Sequence, residues 1–145
     1  MFSRTAVYAL RATVYLAEHS TERPVRVAEM ADNLEIPQNY LAKILNELVR
    51  SEVLMSTRGK HGGFQLAVQP DELALLTVVS PFDRIDQDRR CLLGKAECSD
   101  DSPCAAHHRW NELGTQLATF VRETTVASIS RCDRVRPDGP NIVVR

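Results

Sequence analysis

Apolar residues recur at helical spacing from the start of the chain. Ala6, Leu10, Val14 and Ala17 fall on one stripe between Ser3 and His19, with Arg4, Arg11 and Glu18 off it. That period predicts an amphipathic helix that begins the core. Thr21-Glu-Arg-Pro24 predicts a turn, and Val27, Met30, Ala31 and Leu34 then repeat at i, i+3, i+4, i+7 through a second, short helix. Pro37 can open a third helix whose apolar face is Leu41, Ile44, Leu45 and Leu48, leaving Gln38, Asn39, Ala42, Lys43 and Asn46 outside. Two short helices joined by a tight connection, the second with small, amide and basic side chains outward, have the form of a helix-turn-helix. A plain hydrated helix face gives the same pattern.

The period then changes. Val53 to Arg58 reads as a strand, Gly59-Lys60-His61-Gly62-Gly63 as a tight turn and Phe64 to Val68 as the returning strand, so a β-hairpin directly follows the third helix. Arg58, Lys60 and His61 sit at its tip. A cationic tip beside a candidate recognition helix is what a wing needs: Gln38, Asn39, Tyr40 and Lys43 would supply base and backbone contacts, and the tip would reach phosphates or the minor groove. A solvated basic turn is the plainer alternative. A nucleotide phosphate loop is disfavoured, because the glycines lack the G-x4-G-K-[ST] spacing and lead into a strand.

From Pro70 the chain begins a second section. Leu73 to Val79 is a short apolar run compatible with helix or buried strand, and Pro81 ends or kinks it. A charged link from Asp83 to Arg90 follows. From Cys104 to about Ser128 the spacing predicts the longest helix, with Trp110, Leu113, Leu117, Phe120 and Thr124 forming a seam suited to the core or to a partner helix. Because the first domain looks complete by Val68, a homodimer seam is favoured. The division expected is therefore a winged helix-turn-helix domain over 1–70, a cysteine loop and dimerisation helix over 71–130, and a flexible tail over 131–145. The fold class is mainly α with a small β-hairpin wing.

Composition changes this picture little. A length of 145 residues with 43% hydrophobic content can bury a real core. The net charge of -1 gives no global argument for nucleic acid, so any such signal must be local. No secretory signal pattern opens the chain, and no apolar run approaches the roughly 18 residues of a membrane span, so no membrane partner and a cytoplasmic, reducing setting are expected. No serine, histidine and acid set or carboxylate pair can be assembled, and an enzyme is disfavoured.

The candidate chemistry is concentrated in Cys91-Leu-Leu-Gly-Lys-Ala-Glu-Cys98-Ser-Asp-Asp-Ser-Pro-Cys104-Ala-Ala-His107-His108. Thiolates select zinc, copper(I) or iron–sulphur iron, and imidazole suits zinc and iron alike. Ser102-Pro103 reads as an N-cap and first helical residue, which would put Cys104 in a first helical turn where free amide groups favour a thiolate. Asp100, Asp101 and Glu97 read as a solvated loop. Unliganded buried cysteines and a structural zinc remain open from this segment, but the wide C-x6-C-x5-C spacing favours an iron–sulphur cluster. Cys132, in the tail, reads as a free thiol.

Taken together, Tyr8-Ala-Leu-Arg11, Ile36-Pro-Gln-Asn-Tyr-Leu41, Arg58-Gly-Lys-His-Gly-Gly-Phe-Gln-Leu66 and the three-cysteine loop resemble the winged helix-turn-helix transcription regulators that include IscR, NsrR and RirA. The likeness spans roughly residues 1–130. It implies a homodimer that binds a palindromic operator in double-stranded DNA, and an iron–sulphur cluster, 2Fe-2S favoured and 4Fe-4S the alternative. It further implies Cys91, Cys98, Cys104 and His107 as ligands, and a repressor that senses iron–sulphur status, oxidants or nitric oxide. Three departures are visible. The gap from Cys91 to Cys98 is one residue longer than in the IscR pattern, Val7 stands where NsrR-like members carry aspartate, and Ala42 stands where IscR carries a specificity-setting glutamate.

Overall fold

The helix at the centre of the molecule, α1 (Arg4–His19), buries Ala6, Ala9, Ala12, Thr13 and Leu16. Three alanines at three-residue spacing let neighbouring elements approach its backbone closely, and helices α3, α4 and α6, introduced below, all pack on it. The buried stripe is rotated from the one the sequence predicts: Ala6 is buried, but Leu10, Val14 and Ala17 are only half-buried at its margin. The buried Thr13 hydroxyl donates to the Ala9 carbonyl at 2.8 Å, so it leaves no unsatisfied polar group in the core. The chain is seen here in a computed structural model, which describes residues 2–19, 23–85, 91–94 and 100–130.

The next helices are α2 (Val27–Leu34) and α3 (Gln38–Arg50). Glu35 adopts a left-handed conformation, φ 54°, and its N–H bonds the Ala31 carbonyl, which stops α2 abruptly. Ile36 turns inward and is buried, and Pro37 precedes α3. On α3 the predicted face, Leu41, Ile44, Leu45 and Leu48, is buried in full. A second left-handed residue, Glu52 at φ 59°, ends α3, with the Val53 N–H bonded to the Leu48 carbonyl at 2.9 Å.

The hairpin consists of β1 (Leu54–Thr57) and β2 (Gly63–Leu66), antiparallel, with Leu54 opposite Leu66 and Thr57 opposite Gly63. Both strands are shorter than predicted, and Gly63 belongs to β2, not to the turn. Val25, outside the hairpin, adds an isolated antiparallel bridge to Phe64 of β2.

Leu73 to Val79 resolves as α4 (Leu75–Val79), with Leu75, Val78 and Val79 buried. The long helix is shorter than expected at both ends. It forms α5 (His107–Glu123), capped by Ala106 without a side-chain bond, so Ser102-Pro103 does not start it and Cys104 precedes it. It stops at Thr124, which is extended, and a separate α6 (Val126–Ser130) follows. Two adjacent β-branched residues, Thr124 and Thr125, are weak helix formers, and their backbone bonds elsewhere: Leu75 N–H to the Thr124 carbonyl at 2.9 Å and Val126 N–H to Leu73 at 2.8 Å.

That clasp returns the chain to α1. One hydrophobic cluster extends from Ala9 through Leu48, Val53, Leu73 and Val78 to Val121 and Val126, and so crosses the boundary expected at Pro70. The core is not complete by Val68. No helix among the described residues is long and apolar enough to cross a membrane.

Candidate nucleic-acid interface and cysteine loop

The solvent face of α3 is polar at its start. Gln38, Asn39 and Lys43 are exposed along the first turns of the helix, and the opposite face is locked into the core. Tyr40 is different. It is half-buried, its hydroxyl lies 2.5 Å from the Thr5 hydroxyl, and its ring meets Tyr8 edge-on at 5.8 Å. Arg11 lies over the other side of this assembly, 5.8 Å from the Tyr8 ring centre, and donates to the Leu34 carbonyl at 2.6 Å. One connected group therefore ties both helices of the helix-turn-helix to α1, and Tyr40 belongs to it.

At the hairpin tip Arg58, Lys60 and His61 are all exposed. The turn closes with the Gly62 N–H on the Gly59 carbonyl at 3.0 Å, and Gly59 has φ 106°, a region open to glycine. A Cβ on Gly62 would stand 2.2 Å from the Thr57 carbonyl oxygen, so the tight return requires glycine there. Sequence reading missed Arg26, whose Nη2 donates to the Lys60 carbonyl at 2.5 Å; an arginine just before a helix carries no pattern that reveals such a bond.

The cysteine loop is partly described. Cys91 is buried at the start of a turn closed by the Gly94 N–H on its carbonyl at 2.9 Å, with Leu92 and Leu93 exposed. Cys104 is half-buried, and its carbonyl accepts from the His107 N–H at 3.0 Å, which places these two candidates one turn apart at the head of α5. Cys98 lies outside the described residues, as do the tail 131–145 and Cys132. Among the described residues no three histidine, cysteine or acidic side chains gather into a metal site.

His107 is buried, with 2% of its surface exposed, and its Nε2 lies 2.7 Å from Asp100 Oδ1 and 3.1 Å from Asn111 Nδ2. An ionised carboxylate accepts only, so with the shorter contact to Asp100 the ring donates from Nε2, and the Asn111 amide nitrogen, itself a donor, then makes no hydrogen bond to that nitrogen. In the neutral ring the lone pair is then on Nδ1, the form a metal ligand needs. Asp100, expected in a solvated loop, is exposed yet engages this ring.

On α5 only His107 and Val121 of seventeen residues are buried. Trp110, Leu113 and Phe120 are exposed, whereas Leu117 packs on the core of the chain.

A family model described as Rrf2, iron-dependent transcriptional regulator, matches residues 2–131. The chain belongs to the Rrf2 family. It is 38% identical over 131 residues to a putative HTH-type transcriptional regulator of Aquifex aeolicus, covering 89% of this chain and 90% of that one. It is 27% identical over 128 residues to the HTH-type transcriptional regulator IscR of Vibrio atlanticus, covering 88% and 73%. The solved structure of CymR, the global cysteine regulator of B. subtilis, superposes with a TM-score of 0.76 at 19% identity, covering 91% of this chain and 97% of that one. These likenesses establish a winged-helix Rrf2 fold, with the hairpin of β1 and β2 as its wing.

Proposed function

We propose that this Rrf2-family regulator acts as a dimeric repressor that binds a palindromic operator in double-stranded DNA and senses redox or iron–sulphur status through a cluster held by its cysteine loop. The observation that carries the DNA reading is the exposure of Gln38, Asn39 and Lys43 on a helix whose other face is fixed, together with the exposure of Arg58, Lys60 and His61 at the tip of the hairpin that follows it in the chain and packs against it through β1. Amide side chains can read base edges, and the cations neutralise phosphates. Tyr40 is assigned to holding α3 in place, with any DNA contact secondary to that.

The described donors fit an iron–sulphur cluster chemically: two thiols and one buried imidazole whose second nitrogen is already bonded to a carboxylate. Cys91, Cys98, Cys104 and His107 would hold the group, and its chemistry would be electron transfer and reaction with oxidants or nitric oxide. Cys104 and His107 sit at the head of α5, so a constraint on them is a constraint on that helix. If α5 is the dimer seam, its position sets the separation of two α3 helices, and half-sites about 34 Å apart tolerate little error.

The resemblance to a solved cysteine regulator keeps a second reading in view, a thiol-based regulator without a cluster. The two part on one sample: anaerobically purified protein assayed for iron, sulphide and zinc, with its visible spectrum. Broad visible absorption with matching iron and sulphide is expected. Colourless protein that takes up no iron and sulphide on reconstitution would replace the cluster with thiol or zinc chemistry.

A further inference from the structure

The tip of the hairpin, residues 58–62, extends past the last ladder pair, Thr57 with Gly63. Two strands alone hold a tip poorly, since an isolated hairpin is marginal in water. The segment before α2 supports it at two heights. At the base, Val25 and Phe64 exchange backbone bonds of 3.0 and 2.8 Å, and Gly63 passes so close that a Cβ there would stand 2.4 Å from the Val25 carbonyl oxygen. At the tip, the Arg26 guanidinium donates to the Lys60 carbonyl. Among the described residues this is the one side-chain hydrogen bond that reaches the tip.

Arg26 is also the N-cap of α2, where it makes no capping bond. Serine, threonine, asparagine or aspartate would serve that position, and a cation stands there against the positive end of the helix dipole. The local helix is worse for having arginine, so the reason for it lies across the gap, at Lys60. We propose that Arg26 is a positioning residue for the wing: it fixes where Arg58, Lys60 and His61 stand relative to α3. This rests on the DNA-binding reading above.

The test uses full-length protein and a duplex enriched by the unsubstituted protein from a randomised pool. Arg26→Ala should weaken binding about tenfold, the scale of one lost hydrogen bond to a charged group. Arg58→Ala should then cost much less in that background than alone, because the tip it belongs to is already misplaced. Arg26→Lys, which keeps a donor, should recover most of the loss. In DNA-free protein, amide exchange at residues 58–63 should accelerate in Arg26→Ala while α1 and α3 keep their protection.

Unchanged affinity would overturn the proposal. Additive losses would overturn it too, by making Arg26 an independent phosphate contact, and so would exchange that is unaltered at the tip or raised throughout the fold. Should no duplex be enriched at all, the DNA-binding reading fails, and the exchange measurement still decides whether Arg26 holds the tip.

Discussion

The Tyr40 hydroxyl stands 2.5 Å from that of Thr5, which bonds the first turn of α3 to the first turn of α1. Tyr8 meets Tyr40 edge-on, Arg11 covers Tyr8, and Arg11 also holds the end of α2 through the Leu34 carbonyl. The angle at which α3 leaves the core is thus set by polar and aromatic contacts on top of its buried leucines. Tyr40→Phe keeps the ring on Tyr8 and removes only the bond to Thr5. It should cost about 1 kcal/mol in denaturant unfolding and lower DNA affinity modestly with base preference intact. A changed preference would show that Tyr40 touches bases.

Asn39 and Arg58 should fail in different ways. Asn39→Ala removes an amide that can pair with an adenine edge, so preference should relax at one position of the site by about 1–3 kcal/mol. Arg58→Ala removes a cation from the exposed tip, so affinity should fall on every sequence and the slope of log K against log salt should shrink by about one. Binding titrations over a salt series on matched and mismatched duplexes measure both. An unaltered slope for Arg58→Ala takes the wing off the DNA.

The helix-turn-helix and wing were legible because their cues are local. Leu41, Ile44, Leu45 and Leu48 keep a single period, and Gly59 to Gly63 bound the turn. The head and end of α5 were misread for opposite reasons. Ser102-Pro103 has the composition of a helix start, yet α5 begins at His107, whose ring is held by Asp100. Thr124 and Thr125 continue an apolar seam, yet their backbone pairs with the segment around Ala74, about fifty residues away in sequence. Arg26 and Asp100 act through contacts with no sequence period, and pattern reading had no access to them.

At the cysteine loop, ligand and supporting residue should separate. Cys98→Ala should abolish retention of iron and sulphide after anaerobic reconstitution. Asp100→Asn leaves every candidate ligand in place but weakens the acceptor on His107 Nε2, and loss of such a partner lowers metal affinity about 10–100-fold. Iron retained against a chelator series measures this. Equal retention in Asp100→Asn and the unsubstituted protein would make the Asp100–His107 bond irrelevant to the metal.

Glu52 holds a left-handed conformation, φ 59°, at the end of α3, where glycine has no Cβ to crowd the carbonyl. Its side chain is exposed. Glu52→Gly should raise stability by about 0.5–1 kcal/mol, seen as a higher melting temperature. A lower one would mean that the Glu52 side chain makes a stabilising contact worth more than the strain.

Trp110, Leu113 and Phe120 are 37%, 58% and 52% exposed on a helix that buries only His107 and Val121 within the chain. Gly114 lies among them, and a Cβ added there would meet nothing within 4 Å. Within one protomer, glycine in this exposed helix interior is therefore a loss of about 1 kcal/mol relative to alanine, with no contact that requires it. A partner helix crossing at Gly114 would require it, since small residues let backbones approach. Gly114→Ala should then strengthen the helix and weaken the dimer, and Leu113→Glu should yield monomer, both read by sedimentation over a concentration series. If Leu113→Glu leaves the dimer intact, α5 is not the seam. If Leu113→Glu dissociates it while Gly114→Ala only stabilises, the helices meet through the Leu113 face and cross away from Gly114.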